Sequence, residues 1–280
     1  MVRKAFDFFI YTSLFIAVCA VLMVWQTIYL FEPEAPFALY GFVFSGSVCS
    51  YNFHWYLTPP HVAGQSEKLS WSLSNKSIHL VLFIAGLVGA GICALLLLEH
   101  WFWLGITAFF TFLYSAPKIP HPFFSFLKKI ALGKTIFLAF AWTHVTVTLP
   151  LLISFSELQP AHICFVVNRF FYLYAICILF DYRDVEEDKK AGIRSMITYL
   201  NEKGIDILFW GSMIVCGITS LILVQFMSSI AVLLLILPAV ALALLYYPSK
   251  KNFSDYHYYF VLDGLMMISA PLLLLTKFAR

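Results

Sequence analysis

Charged side chains are scarce in this chain. Only 12% of its 280 residues are Asp, Glu, Lys or Arg, whereas 61% are hydrophobic, and the mean hydropathy is +0.86. A soluble globular domain has about a quarter charged and about half apolar residues. The composition therefore excludes an ordinary soluble domain and indicates a polytopic membrane protein whose surroundings are a lipid bilayer. We expect no nucleic-acid partner.

Cysteine pairs with metal-binding or redox spacing are also absent. The six cysteines lie in apolar runs without a CxxC spacing, so we expect them to be small core residues. A cleavable signal peptide is not predicted, because the first apolar run is long enough to span and no small-residue cleavage site follows it. The alternating pattern of a membrane barrel is missing too, and its absence favours helices.

Nine apolar runs are long enough to cross about 30 Å of hydrocarbon. They predict an all-α protein with nine transmembrane helices. The predicted spans are residues 6–30, 37–57, 78–98, 101–115, 131–154, 162–180, 205–227, 228–247 and 258–275.

Lysine and arginine are distributed unevenly between the two sides of these spans. With the N-terminus inside, all 18 basic residues except Arg169, Lys277 and Arg280 fall on the inner side. This bias predicts an inner N-terminus, and we expect a multi-pass protein of a bacterial cytoplasmic membrane. Two long inner connections, 58–77 and 181–204, provide the material for a functional site on that face.

A weak internal repeat is visible within what we otherwise expect to be one domain, residues 1–280. FLYSAPK (112–118) ends the fourth span and LLYYPSK (244–250) ends the eighth, and both contain a tyrosine, a proline and a lysine. One interpretation is a parallel duplication of residues 1–120 and 131–251, followed by a ninth helix at 258–275. The other is chance, because so short an ending is not rare.

The acidic stretch FDYRDVEEDKKAG (180–192) differs from the rest of the chain and directly follows an apolar run. If the preceding helix continues through it, Asp181, Asp184 and Asp188 share one face at i, i+3 and i+7. Clustered carboxylates suit a hard divalent ion such as Mg²⁺, which bridges to substrate phosphates. The alternative is a solvated loop, neutralised by the basic residues within the stretch.

This stretch resembles the second aspartate-rich motif, DxxDxxxD, of the UbiA superfamily of intramembrane prenyltransferases. FLYSAPK is similar to the family's tyrosine–proline–lysine element after the fourth helix, and Lys134 and Trp142 resemble the start of its fifth. The resemblance implies a nine-helix bundle whose central cavity is open to lipid and capped by loops of the inner face. It also implies Mg²⁺-dependent transfer of a polyprenyl group from its diphosphate to a lipophilic, usually aromatic, acceptor.

The resemblance assigns roles to particular residues. Asp181, Asp184 and Asp188 become the catalytic acids that hold Mg²⁺, and the metal and basic residues together neutralise the leaving diphosphate. The expected geometry places Asp184 and Asn52 on opposite walls of one cavity. The candidate substrate-binding residues are Asn52, His54, Tyr114, Lys118, His144 and Arg194.

The family's first acidic motif, NDxxDxxxD, lacks its acids in this chain. Asn52 stands at the asparagine, but Phe53, Tyr56 and Pro60 replace the three acidic residues. None of these three side chains replaces a carboxylate as a ligand of magnesium. Half of the expected metal site is therefore missing.

Three interpretations remain open at this point. In the first, the chain is a transferase that uses one metal, with Lys118, Lys76 or Arg194 in place of the second. In the second, it keeps an isoprenoid or quinone pocket as a binding or accessory protein without transfer. In the third, the degenerate motif around His54 supports different chemistry. A transporter is disfavoured, because the acids lie at one membrane face rather than at mid-depth.

Three further polar residues fall within the predicted spans. His144 is expected to face the interior and to orient a hydroxyl or carbonyl of an acceptor. Asp263 is expected to line the cavity. Arg169, near the outer end of its span, is expected to extend its guanidinium to the interface.

Overall fold

Apolar runs of this length fold as helices, because in lipid a helix satisfies its backbone groups within one segment. The computed structural model describes residues 2–32, 34–58, 66–119, 121, 134–190 and 195–278. Every regular element in these ranges is helical, which confirms the predicted all-α class.

The helices follow one another along the chain, with short 3₁₀ turns at Leu98–His100 and Ala116–Lys118. Their bounds are α1 Val2–Tyr11, α2 Leu14–Phe31, α3 Phe37–Tyr56, α4 Glu67–Ser74, α5 Lys76–Leu96, α6 Trp101–Ser115, α7 Lys134–Ser154, α8 Pro160–Lys190, α9 Met196–Tyr199, α10 Glu202–Leu223, α11 Ser229–Ser249, α12 His257–Met267 and α13 Ser269–Phe278.

Six of the described helices are long and apolar enough to cross a membrane, namely α2, α5, α7, α8, α10 and α11. The pair α12 and α13, bent by 41°, adds a seventh if the two form one span. The second and fourth predicted spans are helical as well, as α3 and α6. However, α6 has only 15 residues, and α3 contains several Ser, Asn and His residues.

The first predicted span, 6–30, consists of two helices rather than one. α1 ends at Tyr11 and α2 begins at Leu14, and Ser13 between them has a φ of 62°. A left-handed residue other than glycine costs about 1 kcal/mol and interrupts a helix. The carbonyl of Thr12 at this break accepts a hydrogen bond from Asn52 Nδ2 at 3.0 Å. The break is thus stabilised by α3.

Helix α8 lies at the centre of the bundle. All of its residues from 172 to 179 are buried, and α7 and α10 pack along it. By contrast, α5 exposes large apolar side chains such as Val81, Leu87 and Leu95. A helix whose exposed side chains are apolar faces lipid rather than water, as expected for a membrane-spanning bundle.

Arg169 on α8 is buried, with 1% of its surface exposed, so the expectation that it extends to the interface is wrong. Its Nη2 donates to Gln26 Oε1 at 2.7 Å and to Ser269 Oγ at 3.1 Å. The ring centres of Phe165 and Tyr172 lie 5.3 and 5.5 Å from the guanidinium carbon. Neighbouring helices therefore supply its acceptors inside the bundle.

Helix α7 contains a π-helical turn at His144–Thr148. Pro150 has no N–H, so the carbonyl of Thr146 loses its α-helical donor. Thr27 Oγ1, on α2, donates to this carbonyl at 2.9 Å. A side chain of α2 therefore satisfies the backbone group that the proline leaves free.

Helix α4 is held by a carboxylate from a distant part of the sequence. Ser66 Oγ accepts from the backbone N–H of Leu69 at 3.1 Å and donates to Asp255 at 2.8 Å. The backbone N–H of Lys68 also donates to Asp255, at 2.7 Å. Because Asp255 lies two residues before α12, the first turn of α4 is fixed to the start of that helix.

Candidate functional site

Helix α8 continues from its apolar run through the acidic stretch to Lys190. Its geometry places Asp181, Asp184 and Asp188 along one side. Asp181 and Asp188 are 3% and 6% exposed, and Asp184 is half-buried. Burial raises the pKa of Asp188, and the ammonium of Lys134 offsets part of that rise. Buried carboxylates so close together require nearby cations.

Lys134 supplies a cation to two of these acids. Its Nζ lies 3.4 Å from Asp181 Oδ1 and 2.9 Å from Asp188 Oδ2. Thr135 Oγ1 donates a short hydrogen bond to the second oxygen of Asp181. Lys134 and Thr135 form the first turn of α7, so the packing of α7 against α8 neutralises the acids.

Asp184 pairs with its sequence neighbour Arg183. The Nε of Arg183 donates to Asp184 Oδ1 at 2.7 Å, and its Nη2 donates to the hydroxyl of Tyr259 at 2.8 Å. The third nitrogen, Nη1, is buried and has no hydrogen-bond partner among the residues that the structure describes. An unsatisfied buried guanidinium nitrogen is a ready donor for an anionic ligand.

Lys118 lies in the turn after α6 and forms no ion pair with a carboxylate of the described ranges. Its Nζ donates to Thr58 Oγ1 at 2.8 Å and lies 5.8 Å from the ring centre of Trp55. Burial lowers the pKa of Lys118 to about 7. The ammonium form is therefore available near neutral pH, and an approaching anion would stabilise it.

Lys68, in the first turn of α4, is buried and, like the half-buried Lys118, forms no ion pair in the described part of the chain. Its Nζ is 3.8 Å from the ring centre of Tyr259 and 4.8 Å from that of Trp55. Burial lowers its pKa. The sequence did not single out Lys68 as a site residue, because a lysine in a connecting segment carries no signal until the fold places it beside Trp55.

His54 and Tyr114 stack on each other next to these cations, with ring centres 4.9 Å apart and planes 18° from parallel. Tyr114 is close enough to Lys134 and Asp181 to interact with them electrostatically. The Nδ1 of His54 is buried and lacks a hydrogen-bond partner within the described ranges. The fold thus brings these two candidate substrate-binding residues to the acids and lysines.

Asn52 is engaged in helix packing. Its Nδ2 donates to the carbonyls of Thr12 and Val48 at 3.0 and 2.8 Å, and its Oδ1 is 2.7 Å from His79 Nδ1. Both polar atoms therefore have protein partners. These contacts join α3 to α5 and to the break before α2, in contrast to the predicted place on a cavity wall opposite Asp184.

Two other candidate residues do not join the acidic cluster. His144 follows Lys134 by ten residues on the same helix, a rise of about 15 Å. Its Nε2 lies 3.0 Å from Thr107 Oγ1 on α6. Arg194 lies outside the described residues.

The available oxygen donors limit the metal that this site could hold. Among the described residues, no group of three or more His, Cys, Asp or Glu side chains is placed to hold a metal ion. Asp181 and Asp188 do converge on Lys134 Nζ. Two carboxylates with phosphate oxygens commonly bind Mg²⁺. These two would fit one ion shared with a phosphate ligand once the Lys134 ammonium has moved from between them. The degenerate first motif offers no second set, because the oxygen of Asn52 already has a partner.

The chain is thus a helical bundle with membrane-spanning helices, and it gathers acids and lysines without ion pairs, among the described residues, at one end. The sequence model of the UbiA prenyltransferase family matches residues 69–258, and the chain belongs to this family. An apo structure of a UbiA homolog from Aeropyrum pernix K1 has the same fold. Its TM-score is 0.64 at 13% identity, over 96% of this chain and 97% of that chain. A search of curated proteins finds no significant match.

Family membership confirms the resemblance inferred from the sequence motifs. It establishes an integral membrane protein of prenyltransferase type. Prenyltransferases of this family generally use Mg²⁺, a polyprenyl diphosphate and a lipophilic acceptor. The family match includes both the FLYSAPK element and the acidic stretch.

Proposed function

We propose that this protein is an intramembrane prenyltransferase that moves a polyprenyl group from its diphosphate to an aromatic or other lipophilic acceptor. One observation carries the proposal: Lys118 lies close enough to Asp184 and Asp188 to interact with them electrostatically, and it forms no ion pair among the described residues. The buried Lys68, also without an ion pair in those ranges, lies over the same Trp55 ring as Lys118. Carboxylates beside free ammonium groups suit a ligand that combines a metal ion with a diphosphate. Nine spans, an inner N-terminus and a cytoplasmic-membrane location belong to this proposal and are supported by the distribution of Lys and Arg.

The diphosphate is bound by Lys118, Lys68 and the free Nη1 of Arg183. Contacts between cationic nitrogen and phosphate oxygen are strong, and the buried setting strengthens them further. Asp181 and Asp188 would hold Mg²⁺, which would supply additional positive charge for the leaving diphosphate. The bond between the first prenyl carbon and oxygen breaks with its electron pair on the diphosphate. A carbon of the acceptor then bonds to the prenyl carbon, and its proton passes to the released diphosphate.

The ion pairs of Lys134 favour a second candidate function, in which the protein binds an isoprenoid or quinone without transferring a prenyl group. Its ammonium already neutralises Asp181 and Asp188 in the described arrangement. The acids are then structural partners of α7. In that case, ligand binding depends on apolar and aromatic side chains and not on the carboxylates.

The two functions are separated by measuring donor binding and turnover with purified protein in lipid nanodiscs. A radiolabelled polyprenyl diphosphate is supplied with Mg²⁺ or with EDTA. For the transferase, we expect turnover with Mg²⁺ and at least a hundredfold loss with EDTA or in Asp181→Asn and Asp188→Asn. Asp206→Asn is the matched control, because this acid pairs with Lys250 instead.

Turnover that is indifferent to EDTA would exclude the metal-assisted mechanism. Isoprenoid binding that survives both aspartate substitutions, without turnover on any acceptor tested, would establish the second candidate. Equal losses in the control Asp206→Asn would show that the assay reports stability rather than the site.

A further inference from the structure

A cavity of about 200 Å³ lies between α7 and α8, away from the acids. Its lining residues are Phe140, Thr143, His144, Thr148, Val166, Val167, Phe170 and Phe171. His144 is 4% exposed and its ring is nearly parallel to that of Phe140, at 6.2 Å between centres. An apolar cavity of about 150 Å³ accommodates one benzene ring, so this space is large enough for one substituted ring.

The π-helical turn determines where His144 points. It begins at His144 and ends at Thr148, and both residues line the cavity. Such turns are uncommon in helices and often occur at functional sites. Thr27 and Pro150 maintain this one, because the hydroxyl of Thr27 satisfies the carbonyl that the proline leaves free. The cavity is therefore built by a fixed irregularity of α7.

The hydrogen bonds of His144 identify its tautomer. Thr107 Oγ1 donates its single proton to the carbonyl of Trp103 at 2.9 Å. The same oxygen lies 3.0 Å from His144 Nε2, so Nε2 is the donor of that contact. Nε2 therefore carries the proton, and Nδ1 is an acceptor without a partner among the described residues.

We propose that this cavity is a binding site for a lipid-soluble phenol, whose ring lies among the phenylalanines and whose O–H donates to His144 Nδ1. The bare acceptor selects a ligand with an O–H over a quinone or an ether, which have no proton to donate. The site is about 15 Å along α7 from Lys134. It requires neither the acids nor prenyl transfer, so it stands independently of the proposed function.

The test uses two photoreactive probes on the full-length protein in nanodiscs. One is an alkylphenol with a diazirine in its chain, and the other is its methyl ether, which has a similar size and lacks only the donor. We expect the phenol to label peptides of α7 and α8 about fivefold more than the ether at equal concentration. Excess unlabelled alkylphenol should remove this labelling.

Three variants assign the labelling to the cavity. His144→Phe keeps a ring but removes Nδ1, and should lower phenol labelling about fivefold while leaving the ether unchanged. Val167→Phe fills the cavity and should abolish labelling by both probes. His100→Phe is the matched control, because His100 lies before α6 and outside the lining. All variants are first checked for monodisperse elution and for an unchanged unfolding temperature.

Equal labelling by the phenol and its ether in the unaltered protein would overturn the proposal. So would unchanged phenol labelling in a folded His144→Phe or Val167→Phe protein. Asp181→Asn should leave labelling intact, and a loss there would assign the probe to the acidic site instead. A transferase that fails in every assay leaves these binding results unaffected.

Discussion

Lys118 and Lys250 end two similar sequence elements, FLYSAPK and LLYYPSK, but their surroundings differ. The Nζ of Lys250 lies 2.5 Å from Glu202 Oε2 and 3.1 Å from Asp206 Oδ1. The pKa of Lys250 is raised overall, because burial, which would lower it, is outweighed by the hydrogen bonds to these two acids. Within the described residues, the Nζ of Lys118 donates to one hydroxyl, that of Thr58, and burial lowers the pKa of Lys118 to about 7.

The difference predicts that Lys250 stabilises the fold and that Lys118 is available to bind a ligand. A lysine between two carboxylates gains little from another anion, whereas a buried lysine with a single hydroxyl partner gains a great deal. Similar sequence endings therefore acquire different roles from what packs against them. The start of α10 packs near Lys250, whereas the end of α3 and its following residues lie near Lys118.

The largest expected effect concerns Lys134, the paired lysine between Asp181 and Asp188. Lys134→Met leaves two buried carboxylates without their cation, and the free energy of unfolding should fall by about 3 kcal/mol. Denaturant unfolding in detergent measures the change. Adding Mg²⁺ should restore more stability to this variant than to the unaltered protein. A variant as stable as the parent would show that the pair contributes nothing.

The next effect concerns the unpaired Lys118. Lys118→Met should weaken the binding of inorganic diphosphate about thirtyfold, because one charge-assisted hydrogen bond is lost. Its unfolding free energy should stay the same or rise, since a half-buried amine without an ion pair among the described residues is removed. Competition against a labelled polyprenyl diphosphate gives the affinity. If Lys118→Met lost stability but kept its affinity, Lys118 would be the lysine that stabilises the fold, contrary to the role expected here.

A smaller effect is a pH dependence that only the unpaired lysine produces. The folded pKa of Lys118 is below the ordinary lysine value, so its ammonium fraction falls as the pH rises through about 7. Binding of diphosphate then requires uptake of a proton, and affinity should fall by up to about tenfold per pH unit above pH 7. Lys118→Arg keeps its charge and should remove this component. Dividing the affinity of the unaltered protein by that of Lys118→Arg at each pH removes the contribution of the titration of diphosphate itself.

The smallest expected effect is that of Lys250→Met. Glu202 and Asp206 are partly exposed, so solvent screens the pairs and the variant should lose about 1 kcal/mol of unfolding free energy. Diphosphate affinity should stay within about twofold of the parent. A larger drop in affinity would place this lysine at the ligand as well.

The sequence predicts the helical class and the acidic end of α8 because both are local properties. An apolar run that merges into acids at i, i+3 and i+7 needs only the helical period to place Asp181, Asp184 and Asp188 along one side. The FLYSAPK element is also a local pattern, and its resemblance to the family motif predicts Tyr114 and Lys118 as substrate-binding residues. The nine predicted spans include α3 and α6, which are helical in the structure but are not among the helices long and apolar enough to cross a membrane.

The remaining features depend on contacts between distant segments. Asn52 binds the carbonyl of Thr12, and that carbonyl is accessible because Ser13 adopts a left-handed conformation usually taken by glycine or asparagine. No local pattern predicts this. The pairing of Lys134 with both acids likewise follows from how α7 packs on α8. Burial of Arg169 depends on Gln26 and Ser269, which come from helices at the two ends of the sequence.

The carboxylate of Asp255 receives the first turn of α4, across a separation of 187 residues. During synthesis, α4 leaves the ribosome long before its acceptor exists, so this contact forms only after almost the whole protein has been translated. Shortened products of interrupted translation lack Asp255 and cannot make it. This end of the bundle therefore assembles completely only in chains that have been translated through Asp255 to α12.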